Sequence, residues 1–245
     1  MPHNNTIKVK SCPAYSQIVP FCESLWLEPT PFHKFLKKTK GDCFYLECPS
    51  LNLNYKNCFI ITSPLDVNIS VNESGEILSD LKPDIHQLLI MPRFQDQGEK
   101  TLLSLRIQYY FVAEESLSIQ QFQPSILSSQ YPHLSNISMI DGEFDIGKWV
   151  RPLDFAFEVN NQPCNISIKR GDPLYAIRLK TNKNINMEFD NYENSLISRT
   201  HHNQSSIKSV CPLNNLQKNY KLASSQMKSL SKKLFPKGSL FSIFK

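Results

Sequence analysis

Residues 102–112, with the sequence LLSLRIQYYFV, form the longest strand candidate of this chain. Its apolar residues recur at every second position, namely Leu103, Leu105, Ile107, Tyr109 and Phe111. Successive side chains of a β-strand point to opposite faces, so this alternation predicts a long strand that turns one face to a core.

Shorter segments of the same kind lie on both sides of this strand. We predict strands at 43–47, 58–62, 65–71, 155–159, 164–169, 174–180 and 185–189. Residues 170–173 (RGDP) are predicted to be a hairpin turn in which Gly171 takes a positive φ. No helical pattern separates successive strands, which disfavours a parallel α/β fold. The sequence therefore predicts a mainly β protein, with one β-sandwich or jelly-roll-like domain over residues 42–190.

Residues 1–41 are predicted to be an irregular segment packed on this domain. Four prolines between positions 13 and 31 interrupt any long regular element. A short helix is expected after the last of them, because Phe32, Phe35 and Leu36 fall on one helical face.

The basic charge of the chain is concentrated after the β domain. Residues 191–245 contain nine basic side chains and one acid, a net charge of +8, so the first 190 residues carry −3 of the whole chain's +5. A mildly acidic domain is a poor surface for nucleic acid, which we do not expect as a partner. We predict a polar linker at 191–211, then a basic amphipathic helix and an apolar C-terminal segment at 212–245.

The predicted helix has an apolar seam at alternating steps of three and four residues. This seam has three interpretations: it docks on its own domain, it self-associates, or it contacts a partner or a membrane surface. The candidate residues for a protein contact are Leu216, Tyr220, Met227, Leu230, Leu234, Phe241 and Phe244.

Sequence signatures of catalysis, metal binding and membrane insertion are missing. There is no Gly-x-Ser-x-Gly, no complete Gly-x-x-x-x-Gly-Lys-Ser/Thr loop and no His-x-His pair, and the cysteine spacing does not suit zinc. We therefore expect no metal, no cofactor and no catalytic residue. No segment reaches the about 18 consecutive apolar residues that cross a bilayer. Residues 1–10 lack a secretory signal, so the seven cysteines are expected to be free thiols in a cytoplasm.

One polar and aromatic cluster could line a ligand cleft. It spans residues 142–154, and its candidate ligand-binding side chains are Glu143, Asp145, Trp149, Arg151 and Asp154. The structural alternative is a sheet corner in which Trp149 fills the core and Arg151 pairs with Asp145 or Asp154. Both interpretations stay open at this point.

Several short segments occur together in a distinctive order. They are residues 11–14 (SCPA), 55–59 (YKNCF), 63–66 (SPLD), 149–153 (WVRPL), 155–157 (FAF) and 171–174 (GDPL). As a set they resemble a group of uncharacterised proteins of tailed phages, notably large myovirus-like phages of marine bacteria. The resemblance covers roughly residues 10–180 and implies a phage origin, in the host cytoplasm or in the virion. It implies no activity.

Two functional hypotheses follow. The first is a non-enzymatic binding, accessory or virion-associated β-sandwich protein of a phage, which uses its C-terminal helix to bind a protein or to self-associate. The second is a cupin-like jelly-roll enzyme or small-ligand-binding protein that uses the 142–154 cluster, together with His86 or His133.

Overall fold

The long alternating segment lies at the centre of the largest sheet. The computed structural model of the chain describes residues 5–14, 26–41, 47–92, 101–189, 195–210 and 216–236. In it, β7 (Leu102–Ala113) pairs with strands on both of its edges. The strand order of this sheet is β14-β1-β7-β11-β9, with β6 also paired to β7, and we call it the large sheet.

The fold is mainly β. The strands are β1 (Thr6–Pro13), β2 (Thr30–Pro31), β3 (Cys58–Thr62), β4 (Val67–Val71), β5 (Ile77–Ser79), β6 (Ile90–Pro92), β7 (Leu102–Ala113), β8 (Ser118–Phe122), β9 (Ile137–Met139), β10 (Gly142–Asp145), β11 (Leu153–Val159), β12 (Cys164–Ile168), β13 (Pro173–Lys180) and β14 (Asn184–Phe189). The described helices are α1 (Phe32–Lys40), α2 (Pro49–Asn54), α3 (Pro83–Leu89), α4 (Pro132–Ser135), α5 (Ser195–Val210) and α6 (Leu216–Leu234), with a 3-10 turn at Ser125–Leu127.

Two further sheets complete the β structure. One has the order β10-β8-β13-β3-β2, and we call it the second sheet; the other has the order β12-β4-β5. Of the strand pairs, β1–β14 is parallel and the others are antiparallel. All three sheets contribute side chains to one main core, which includes Tyr109 and Phe111 of β7, Tyr175 of β13 and Ile69 of β4.

Most of the predicted strands are confirmed in place, since β3, β4, β7 and β11 to β14 match the predicted segments to within about two residues. The strand expected at 43–47 falls mainly on residues outside the described ranges. Gly171 has φ 91° as predicted. The turn around it is not a hairpin, however, because β12 pairs with β4 whereas β13 pairs with β3 and β8.

The prediction that residues 1–41 are irregular is wrong at its start. β1 is an inner strand of the large sheet, between β7 and β14. Ile7 and Val9 point into the main core, while Lys8 and Lys10 are exposed or half-buried. The helix expected after Pro31 is confirmed as α1, with Phe32, Phe35 and Leu36 buried.

The predicted polar linker is wrong as well, because most of its described part is the helix α5. α5 and α6 pack on the face of the large sheet that points away from the main core. There they bury a second apolar cluster, made of Cys12, Ala14, Tyr110, Val112, Val150, Ile197, Met227, Leu230 and Leu234. β7 is thus buried on both faces along its second half. We call α5 and α6 together the helix pair.

Candidate functional site

The predicted 142–154 cluster is used mainly to build a turn. The Asp145 carboxylate accepts hydrogen bonds from Ser116 Oγ at 2.5 Å and from the backbone N–H groups of Gly147 at 2.8 Å and Leu117 at 3.2 Å. It also forms an ion pair with Lys148 at 2.9 Å. Partial burial alone would raise the pKa of Asp145, but these hydrogen bonds hold the pKa below its usual value. Its lone pairs are largely occupied within the protein, so Asp145 has little capacity left for a ligand.

The other charged members of the cluster lie apart from one another. Glu143 is exposed and bonds Lys180 at 2.5 Å and Ser118 at 2.6 Å. The hydrogen bonds from Lys180 and Ser118 lower the pKa of Glu143. Arg151 lies over the ring of Phe144, 4.9 Å from its centroid, whereas Asp145, one of its two predicted partners, pairs with Lys148.

Trp149 and Asp154 also have structural partners. The backbone N–H of Trp149 donates to the Asp145 carbonyl oxygen at 3.1 Å. The Asp154 side chain accepts a hydrogen bond from Gln108 of β7. None of the five predicted ligand residues lines either of the two cavities described below. The structure therefore brings Asp145 and Trp149 together in one turn, and a ligand cleft formed by the five residues stays a prediction.

The two histidines of the second hypothesis are also engaged elsewhere. His133 is buried, and its Nε2 lies 2.8 Å from the Pro173 carbonyl oxygen, so this nitrogen carries the hydrogen. Burial lowers the pKa of His133. His86 Nδ1 lies 2.7 Å from Ser79 Oγ. Neither histidine lines either cavity described here.

A cleft of about 760 Å³ lies where the two larger sheets end. Its walls are residues 28–31, the start of α1, residues 52–59 and part of β14. Among the described strands, β2 and β14 are the terminal strands of their sheets. We call this cavity the edge cleft.

The lining of the edge cleft combines apolar and polar side chains. Phe59, Ile185 and Met187 line it and also pack in the main core, and Leu53 adds a side chain that is 74% exposed. Its charged and titratable members are Glu28, His33, Lys34, Tyr55, Lys56 and Cys58. A concave, partly apolar cleft with a few polar groups is typical of small-molecule binding sites.

The thiol of Cys58 lines the edge cleft but is not activated as a nucleophile. It donates to the carbonyl oxygens of Asn54 and Lys56, each at 3.6 Å. Burial raises the pKa of Cys58, and the neighbouring Arg178 only partly offsets that effect. Because the thiolate is the reactive form, a raised pKa favours a binding role over cysteine catalysis for this cleft.

The predicted seam of the C-terminal helix is the surface that docks on the large sheet. Met227, Leu230 and Leu234 are buried in the second apolar cluster, so they are not available to a partner. The side chains of Leu216 and Tyr220, and residues Phe241 and Phe244, lie outside what the structure describes. Of the three interpretations, intramolecular docking is therefore the one seen for the described seam.

Hydrogen bonds fix the helix pair to the corner that follows β10. The Val150 N–H donates to Oε1 of Gln204 at 3.0 Å, and the Val150 carbonyl oxygen accepts from Nδ1 of His201 at 3.0 Å. Nε2 of Gln204 in turn donates to the Ala223 carbonyl oxygen of α6 at 3.3 Å. The 142–154 segment is therefore a docking point for the helices. Sequence reasoning missed Gln204, because a single buried amide in a polar segment has no periodic signal.

The face of α6 opposite its seam is basic. At 3.6 residues per turn, Lys221, Lys228 and Lys232 fall on one stripe, and all three are exposed. Neither α5 nor α6 contains an acidic residue. We call these three residues the lysine stripe.

The arrangement of metal-ligating side chains adds no further site. Within the described ranges, no group of three or more His, Cys, Asp or Glu side chains is placed to hold a metal ion. The described helices include none that is both long and apolar enough to span a membrane. The four cysteines in these ranges, Cys12, Cys48, Cys58 and Cys164, are free thiols.

No known protein family, curated protein or solved structure matches this chain.

Proposed function

We propose that the protein is a non-enzymatic binding protein that recognises an acidic protein surface through the lysine stripe of α6. The observation that carries this proposal is the division of α6 into two faces. Its apolar face is buried on its own sheet, whereas its opposite face presents three exposed lysines and no acid. A helix of this length presents a face about 28 Å long, which suits a complementary acidic patch.

A protein partner fits the whole molecule better than nucleic acid does. The first 190 residues carry a net charge of −3, so they would repel any part of a long polyanion that extends past the helix pair. A compact acidic patch on a folded partner needs only the stripe itself.

Charge reversal at the stripe tests the proposal. A labelled short polyglutamate peptide, no longer than the exposed face of α6, is titrated with the full chain and with the triple variant Lys221→Glu, Lys228→Glu, Lys232→Glu, and anisotropy is measured. We expect the variant to bind at least about tenfold more weakly, which is about 1.4 kcal/mol.

The matched control reverses three exposed lysines that lie outside α6 and do not line the edge cleft, in the variant Lys37→Glu, Lys38→Glu, Lys169→Glu, which changes net charge equally. This control is expected to keep its affinity to within about threefold. Equal losses in the two variants would contradict a specific stripe.

The phage origin is part of the same proposal and rests on the resemblance of residues 10–180 described above. We propose an accessory or virion-associated protein made in the host cytoplasm. Mass spectrometry of purified particles beside infected-cell lysate separates the two locations, because a virion component is enriched in the particles. Absence from both samples would contradict the proposal.

We also propose that the β structure is a sandwich or a jelly roll. Its support is that the two larger sheets share one main core. The parallel β1–β14 pair departs from an all-antiparallel jelly roll. A crystal structure in which the two larger sheets do not face each other would contradict it.

Small-ligand binding is a second candidate function, and the edge cleft favours it. The volume of about 760 Å³ and the apolar side chains of Ile185 and Met187 would accept an apolar body, while Lys34 and Lys56 favour an anionic group on the ligand. In a fragment screen by NMR, hits should shift the amides of Tyr55, Asn57 and Ile185. Ile185→Arg should abolish those shifts, whereas hits that cluster elsewhere would contradict this candidate.

A further inference from the structure

A polar cleft separates the two helices of the pair. Its volume is about 200 Å³, and its polar lining consists of Arg199, Thr200, Asn203, Gln226, Ser229 and Lys233. Leu196 of α5 and Leu230 of α6 also line it. We call it the interhelical cleft.

The lining residues form two stripes that border the same cleft. On α5 they are Leu196 and the residues three, four and seven positions after it. On α6 they are Gln226 and the residues three, four and seven positions after it. Residues at this spacing share one face of a helix, so each helix contributes a whole polar face to the cleft.

Most of these polar groups have no partner within the described part of the chain. Arg199, Asn203, Ser229 and Lys233 make no hydrogen bond or ion pair with described residues, and Oε1 of Gln226 is buried without a hydrogen bond. Gln204, on the same helix as Arg199, uses both ends of its amide. Arg199, Asn203, Ser229 and Lys233 are exposed and so are accessible to a ligand, and the buried, unpaired Oε1 of Gln226 marks a further polar position that an occupant of the cleft would satisfy.

The charge of the cleft selects an anion. It contains a guanidinium and an ammonium group, and none of its lining residues is acidic. A guanidinium donates two parallel hydrogen bonds to an oxyanion, and hydroxyl and amide groups add further donors. The Gln226 amide can present either its oxygen or its nitrogen, because the orientation of such a group is assigned from its hydrogen bonds and here it has none.

The volume limits the size of the anion. At about 30 Å³ for each water molecule, the cleft holds roughly six or seven waters, which is enough for a tetrahedral oxyanion with its hydration but not for a large organic body. We propose that the interhelical cleft binds a phosphate-type oxyanion, either free or as the head of a small phosphomonoester. This site is separate from the lysine stripe and does not depend on the proposed function.

The test measures phosphate binding by the full chain. Inorganic phosphate is titrated by calorimetry at constant ionic strength, with chloride as the balancing ion. The double variant Arg199→Gln, Lys233→Gln is expected to bind phosphate at least about tenfold more weakly than the wild type, since it loses two charge-assisted contacts. The variant Arg199→Lys keeps the charge but loses the paired donors, so it should fall between the two.

The matched control removes the same charge from the lysine stripe in the double variant Lys221→Gln, Lys228→Gln. It should keep the phosphate affinity to within about twofold, because neither residue lines the cleft. An equal loss in both double variants would overturn the site, since it would show only general attraction. No phosphate binding by the wild type would also overturn it.

Glycerol phosphate provides the second arm of the experiment. Binding at least as tight as that of inorganic phosphate, lost in the Arg199→Gln, Lys233→Gln variant, supports a phosphomonoester as the natural ligand. Binding of inorganic phosphate with none of glycerol phosphate supports the free ion. Failure of either arm leaves the polyglutamate titration of the lysine stripe unaffected, so the two proposals fail separately.

Discussion

Single residues in the 142–154 segment decide whether its turn can form. A Cβ atom at Gly147 would lie 2.6 Å from Ser116 Cα and 2.7 Å from the Glu115 carbonyl oxygen, which are backbone atoms that cannot rotate away. The glycine is therefore required by a close approach of two chain segments. The charged residues of this segment suggested a ligand site, but the residue that its structure requires is Gly147, which has no side chain.

Gly147→Ala is expected to lower the free energy of unfolding by about 1–3 kcal/mol, because the added methyl group overpacks against backbone. The measurement is urea unfolding followed by circular dichroism. Gly142→Ala is the control, since a Cβ there meets nothing within 4 Å and φ is not positive. Its change should stay within about 0.5 kcal/mol, and equal costs at the two positions would disprove the close approach.

Gln204 is the residue that ties the helix pair to the β structure. Gln204→Ala leaves the Val150 N–H and the Ala223 carbonyl oxygen without their partner. We expect a loss of about 1–3 kcal/mol in unfolding free energy, as for other buried hydrogen bonds broken on one side. Ser205→Ala, next to it on the exposed face, should change stability by no more than about 0.5 kcal/mol. An unchanged unfolding free energy for Gln204→Ala would mean that the hydrogen bond between Gln204 and Val150 does not hold the helices on the β structure.

At the scale of elements, the turn after β10 gives the fold a dependence on pH. The pKa of Asp145 is held below its usual value, because hydrogen bonds from Ser116, Lys148 and the backbone outweigh partial burial. A depressed pKa in the folded state contributes stability above the unfolded pKa of about 4, and this contribution is lost as the pH falls through the folded pKa. The turn should therefore weaken in acid.

Unfolding free energies of the wild type and of Asp145→Asn, measured from pH 7 to pH 2, should show this directly. The wild type should be the more stable protein at neutral pH, and the difference should shrink as the pH falls below about 4. Asp141→Asn, an exposed substitution four residues earlier, should change the unfolding free energy at pH 7 by no more than about 0.5 kcal/mol. A pH-independent difference for Asp145→Asn would contradict the role assigned to its carboxylate.

The elements that the sequence predicts well are those whose burial is periodic. β3, β7 and β11 to β14 show an apolar pattern that follows from their contact with the main core. α1 is also predictable, because three apolar residues share one face. β1 was missed because Ile7 and Val9 are its only apolar residues that alternate with charged ones, and the segment ends in a proline.

α5 was missed for a different physical reason. Its sequence is polar, and such a helix is stable chiefly through tertiary contacts. Among its described side chains, Ile197 and Gln204 are buried, Leu196 packs against the second apolar cluster, and His201 donates a hydrogen bond to Val150. A clue was present in β7, where residues 109–113 (YYFVA) change from alternating to continuously apolar. That change is typical of a strand buried on both faces.

The edge cleft could not be predicted from local sequence at all. It is lined by β2 and β14, which are about 150 residues apart in the chain and meet only because each ends its sheet. The 142–154 cluster, in contrast, drew attention through its composition, and its carboxylates are used by the protein itself. Composition identified charged residues but not whether they were already paired.

At the scale of the whole molecule, the chain divides its charge between two layers. Residues 1–190, which form the sheets, have a net negative charge. The helix pair, which covers one face of the large sheet, is basic. The seam that could have bound a partner is used within the chain. We propose partner recognition by the lysine stripe and anion binding by the interhelical cleft, and both proposals depend on the helices being docked.

The docking of α6 on β7 is the central claim, and a double-mutant cycle in urea unfolding tests it most directly. Met227 and Val112 are both fully buried in the second apolar cluster. We predict that Met227→Ala costs about 2–4 kcal/mol and that its effect is non-additive with Val112→Ala by about 1 kcal/mol. A cost for Met227→Ala below about 0.5 kcal/mol, together with strict additivity, would show that the helix does not lie on the sheet.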